Sequence, residues 1–221
     1  MCWNETVSLN TYIVGVFTMC FVLYNQMYTD YKIDRGYYYV LFLNMFVTMQ
    51  LIEYFIWKSI NNHDTLSNIF YSKMGLLLIF LQPLASIMLI TSNTLRYALG
   101  IAYCIATLLF VLLKSIYNPF VFKTFIGPNK HLAWKWLEIK GMWQIYVLFW
   151  FFCLSASAYT ERSSNIPYFI IISSFFIYYT TYKKDLTFGT LWCHISNLIV
   201  IAVLIAYLFV FPLQLKDCSF F

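Results

Sequence analysis

The chain has 221 residues, 62% of them hydrophobic and 10% charged, with a formal net charge of +5. Soluble domains carry about 25% charged residues, so this composition excludes an ordinary globular protein. The basic residues are spread over loops rather than massed on one face, which points to a lipid bilayer as partner and not to nucleic acid.

A hydrocarbon core of about 30 Å needs roughly 20 apolar residues per helix. Seven stretches approach that requirement in turn, at about 7–24, 37–57, 66–90, 95–113, 141–158, 166–182 and 190–211. The first has no basic residues before it and no small-residue cleavage site after it, so it reads as a retained helix. Tyr37, Tyr38, Tyr39, Trp57, Trp143, Tyr159, Tyr182 and Trp192 fall near the proposed ends, as an interfacial aromatic belt should. The fold class is an all-α membrane protein, one bundle of about seven transmembrane helices forming a single domain over 1–221.

Lys58, Lys114, Lys123, Lys130, Lys135, Lys140, Lys183 and Lys184 belong to the second, fourth and sixth loops and their flanks. The other loops and the C-terminus carry Lys32, Arg35, Arg96, Arg162 and Lys216. The richer set belongs in the cytoplasm by the positive-inside rule, which places the N-terminus there and the C-terminus outside or in a lumen.

The fourth loop is the long one. Tyr117-Asn118-Pro119 and Gly127-Pro128-Asn129 are turn signals. Between them Phe120, Phe122 and Thr124 alternate with Val121, Lys123 and Phe125, compatible with a short extended segment. From Lys130 to Lys140, His131, Lys135 and Glu138 share one helical face, and Leu132, Trp136 and Ile139 another. That pattern predicts a short amphipathic helix lying in the membrane interface.

Glu53 is the sharpest single residue, an ionisable group inside the second span with Gln50 one turn before it and Asn44 further along. Such a group normally faces a bundle interior or a wet cavity. A proton carrier, cation site or general base is the functional reading; a carboxylate paired with Lys58 near the interface is the plain one. Gln82-Pro83 breaks the third span. Pro83 frees a backbone carbonyl that a polar neighbour must satisfy, as at transporter sites or in a simple packing kink. With Gln82, the residues Asn44, Gln50 and Glu53 predict a polar cavity open to the cytoplasm, and a channel or a transporter of a small solute or ion.

A second set of reactive residues gathers on the same side. Cys2, His131, Cys193 and His194 would form a thiol or zinc site if the fold joins them, making a membrane-embedded enzyme the alternative. No CxxC pair or other specific ligand spacing demands a metal. A lone His194 is more often an interfacial histidine with one backbone hydrogen bond, and Cys20, Cys104 and Cys153 within spans read as packing residues. A structural or assembly protein of a membrane, viral among the options, is the third reading. A homo-oligomer is open on the sequence.

Met1-Cys2-Trp3 with Glu5 and Ser8, Gln50 and Glu53, Gln82-Pro83, His131-Leu132-Ala133-Trp134 and Gly189-Thr190-Leu191-Trp192-Cys193 occur in this order along nearly the whole chain. In this the chain resembles a family of short seven-span integral membrane proteins of bacteria, algae and large DNA viruses that begin Met-Cys-Trp. The resemblance implies a fold and a membrane location but no reaction. The seven-span alkaline ceramidases need two histidines on the last span, and this chain has His194 alone there.

Overall fold

The computed structural model describes residues 4–29, 35–138, 141, 144–160, 166–205 and 208–209, with backbone only at 158–160, 166–172, 194, 196 and 199. These residues form seven α-helices in chain order: α1 (Glu5–Tyr28), α2 (Gly36–Asn61), α3 (Thr65–Ile87), α4 (Asn93–Tyr117), α5 (Gln144–Thr160), α6 (Ile166–Tyr182) and α7 (Phe188–Ile205).

Four of them, α1 to α4, are long and apolar enough to cross a membrane. The expectation of seven spans is therefore met for four. The helices α5 and α6 have 17 residues each and α7 has 18. Each of these three is bounded on one side or both by residues outside the described set, so 17 and 18 are the lengths of their described parts.

The first helices start where the local chemistry stops their free amides from being orphaned. Asn4 Oδ1 accepts the Val7 N–H at 3.0 Å, and Asp64 Oδ1 accepts that of Ser67 at 3.0 Å. Consecutive helices α1, α2 and α3 pack as antiparallel hairpins. Gly15 makes the first pairing close, because a Cβ there would stand 2.6 Å from the Val47 side chain. At the far end Arg35 closes the turn after α3, donating to the carbonyls of Met88 at 3.1 Å, Ile90 at 2.7 Å and Thr91 at 3.1 Å. Arg96 adds a second donor to Ile90, at 3.1 Å. The core lies among α2, α3, α5, α6 and α7, whereas α4 buries only Tyr103, Phe110 and Lys114.

The fourth loop departs from expectation. Instead of an amphipathic helix it forms a β-hairpin, β1 (Thr124–Ile126) with β2 (Leu132–Trp134), antiparallel with Thr124 opposite Trp134. The end of the extended segment expected at 120–125 is thus present in β1, but 130–138, the described part of 130–140, is not the helix its spacing suggested. A single 3-10 turn, Lys135–Leu137, follows β2. The physical reason is burial on both faces. Leu132, Ala133 and Trp134 are each 0% exposed, which one face of an interfacial helix could not give.

The ribbon is held from both sides. Trp134 N–H donates to the Leu186 carbonyl at 2.9 Å, and Thr190 Oγ1 donates to the Leu132 carbonyl at 3.0 Å. On the other side the Trp136 indole N–H donates to Thr124 Oγ1 at 3.0 Å, which also shares a 2.8 Å hydrogen bond with Ser72. The hairpin caps the end of the bundle where α2 ends and α7 begins.

Candidate functional site

Along α2 the residues Phe46, Gln50, Glu53 and Trp57 are spaced so that they form one stripe. All four are buried, Gln50 at 1% and Glu53 at 2% exposure. Gln50 places its side-chain amide toward the Glu53 carboxyl. Among the described residues, however, Gln50 Nε2, Glu53 Oε1 and Trp57 Nε1 have no hydrogen-bond partner.

The helix facing this stripe is α7. Phe46 and Trp192 meet edge to face, with ring centroids 5.9 Å apart. Asn197 Nδ2 donates to the Cys193 carbonyl at 2.7 Å and reaches the Phe46 carbonyl at 3.5 Å. Its Oδ1 is buried without a partner among the described residues. The Cys193 thiol is completely buried and within electrostatic range of Glu53.

From α3 comes Gln82, 0% exposed, with neither amide atom partnered among the described residues. The next residue, Pro83, cannot donate to the Ile79 carbonyl four residues earlier. Trp150 of α5 supplies the missing donor, its indole N–H lying 2.9 Å from that carbonyl. The proline break is thus clipped by a neighbouring helix, while the glutamine beside it keeps its full hydrogen-bonding capacity.

Three of the four expected polar residues, Gln50, Glu53 and Gln82, are therefore buried in the bundle interior. Asn44 is not with them. It lies nine residues before Glu53, half a turn out of phase, and its Oδ1 accepts from Thr48 Oγ1 at 3.2 Å. Asn197 belongs to the polar set, and the sequence offered a signal for it, a position four residues after Cys193 on the same helical face.

Among the described residues, three cavities near the capped end are lined by residues other than Asn44, Gln50, Glu53 and Gln82. An apolar slot of about 50 Å³ lies among Trp134, Trp136, Trp150, Phe175, Trp192 and Cys193. A crevice of about 370 Å³ is walled by Glu138, Gln144, Lys183 and Lys184. Another, of about 350 Å³, lies beside His63, Asp64, Asn68 and Lys123.

Of the thiol and histidine set, His131 and Cys193 are described with their side chains. Cys2 lies outside the described residues, and so does the side chain of His194. His131 sits half-buried at the entry to β2, its backbone N–H donating to Asn129 Oδ1 at 3.2 Å. Burial holds its imidazole below the usual histidine range. His63 is exposed in the turn between α2 and α3. Among the described residues no three His, Cys, Asp or Glu side chains come together as metal ligands.

What the fold does join is the two short sequence anchors, His131–Trp134 and Gly189–Cys193. Gly189 lies so close to Trp134 that a Cβ would stand 2.5 Å from the indole. Comparisons with protein-family models, curated proteins and solved structures returned no match.

Proposed function

We propose that this chain is an integral membrane protein of seven spans, its capped end in the cytoplasm, that carries a small cation or polar solute past Glu53. The observation that carries this reading is the set Gln50 Nε2, Glu53 Oε1, Gln82 Nε2 and Oε1, and Asn197 Oδ1, buried on three helices and without a hydrogen-bond partner among the described residues. An unpaired polar group away from water costs several kcal/mol in an apolar phase. A bundle that needed only to pack would hold apolar residues there. A carboxyl flanked by amide oxygens and N–H groups offers both acceptors and donors to a passing ion or solute.

In this reading the helices enclose the polar set. Access requires the helices to part, and the clipped break at Pro83 is the place where α3 departs from regular backbone bonding. The capped end is rich in lysine, with Lys58, Lys123, Lys130, Lys135, Lys183 and Lys184 exposed or partly exposed there, which supports the cytoplasmic assignment.

The test is flux in liposomes. Purified protein should dissipate an imposed H⁺, Na⁺ or K⁺ gradient, or take up a labelled polar solute, and Glu53→Gln should abolish it. If the native protein moves none of these, the reading fails.

A further inference from the structure

The two cavities at the base of α6 share a wall. Leu137, Tyr179 and Phe188 line both the apolar slot and the lysine-bearing crevice. A polar, cationic vestibule therefore opens directly beside an aromatic pocket. Lys183 and Lys184 are exposed on the vestibule, with Lys183 Nζ 5.6 Å from the Tyr179 ring centroid. The acidic side chain on that wall, Glu138, is in a salt bridge with Lys135. The lysines are thus left as the dominant charge facing the crevice.

The slot carries its own polar handle. Trp134 is 0% exposed, lies on the slot wall, and has no partner for its indole N–H among the described residues. A donor held in an apolar pocket beside a cationic mouth suits an ester carbonyl lying between an anionic head and an acyl chain. The site also lies at the lysine-rich end of the bundle, where anionic headgroups of the facing leaflet are met.

We propose that the vestibule and slot together bind one anionic phospholipid with a phosphomonoester head. The phosphate rests on Lys183 and Lys184, and the start of one acyl chain enters the aromatic slot. The slot, at about 50 Å³, admits a short piece of chain, and the remainder lies along the outside of the bundle in the bilayer. This site is separate from the polar stripe and does not depend on the transport reading.

Native mass spectrometry of the full chain released from detergent tests it, with phosphatidic acid, phosphatidylcholine and inorganic phosphate as probes. Phosphatidic acid should be retained one per chain, roughly tenfold or more over phosphatidylcholine. The double variant Lys183→Gln/Lys184→Gln should lower that retention by roughly tenfold, while Lys58→Gln/Lys123→Gln, at the same end, should leave it unchanged. Val147→Phe, which fills the slot, should also lower retention; Leu76→Phe serves the same purpose if that variant does not fold. Equal retention of phosphatidylcholine, or an equal loss in the Lys58/Lys123 variant, overturns the proposal. So does inorganic phosphate binding as tightly as the lipid, because the slot would then contribute nothing.

Discussion

Asn68 pairs with the backbone of Thr124 as a β-strand would. Its Oδ1 accepts the Thr124 N–H at 3.0 Å, and its Nδ2 donates to the Thr124 carbonyl at 3.1 Å. One buried side chain on α3 thereby supplies both ladder bonds that the open edge of β1 lacks at that residue. Replacing Asn68 by Leu would leave both backbone groups buried and unpaired, each costing about 1–3 kcal/mol. Thermal unfolding in detergent should show a loss of roughly 2–6 kcal/mol, and proteolysis should nick the segment between α4 and α5 first. Nicking elsewhere would mean that the hairpin is not held by this contact.

Gly189 marks the closest approach between α7 and β2. An added Cβ meets the Trp134 ring at 2.5 Å and Leu137 at 3.1 Å, and the indole it meets is fully buried. Gly189→Ala should therefore destabilise by about 1–3 kcal/mol through overpacking. Gly100, half-buried on α4, offers the control. A Cβ there meets nothing nearer than 4.0 Å, so Gly100→Ala should be neutral, or stabilising by up to about 1 kcal/mol from helix propensity. Melting midpoints of the two variants measured side by side decide the matter.

The bond from Trp150 to the Ile79 carbonyl exists because Pro83 cannot make its own. Trp150→Phe should leave that carbonyl buried and unpaired, at a cost of about 1–3 kcal/mol. Pro83→Ala restores a backbone N–H four residues along. In the Pro83→Ala background, the cost of Trp150→Phe should shrink toward its packing component. A double-mutant cycle on unfolding free energy reads this directly, and strict additivity would refute the coupling.

How far the sequence discloses these features depends on the distance over which their causes act. A charged residue in an apolar run is expensive wherever the run folds, so Glu53 and its neighbour Gln50 announce their burial locally. The carbonyl freed by Pro83 was foreseeable from proline chemistry alone. Its partner was not, because Trp150 is 71 residues away. Asn44 and Glu53 lie near one another in sequence, but helical phase sets the two on opposite faces. Leu132 and Trp136 have helical spacing, and only the contacts with Leu186, Thr190 and Ser72 make their segment a ribbon and a turn.

His131 gives the cap a dependence on acidity. Burial lowers its pKa in the folded chain relative to the unfolded value of about 6.5. The unfolded state then binds more protons as pH falls through and below that value. Stability from this group is complete above about pH 6.5 and is lost as pH drops toward the folded pKa. The melting midpoint should accordingly fall between about pH 7 and pH 5, and His131→Gln should flatten that part of the profile. A variant with an unchanged slope would assign the dependence to other groups.

Glu53 separates a residue kept for packing from one kept for work. If the carboxyl held the bundle together, replacing it with an apolar residue would weaken the fold. Its Oε1 has no partner among the described residues, and its surroundings include Gln50, whose Nε2 is also unsatisfied. Removing such a group relieves a desolvation cost on the order of 2–3 kcal/mol for an acidic side chain at the centre of a membrane helix. Glu53→Leu should therefore raise the unfolding free energy in detergent, by about 1–3 kcal/mol after imperfect packing is allowed for. The same variant should carry no flux in liposomes, because Leu offers neither charge nor acceptor. Greater stability with lost transport is the pattern of a strained functional residue. A destabilised variant that still transports would make Glu53 a structural group and remove it from the pathway.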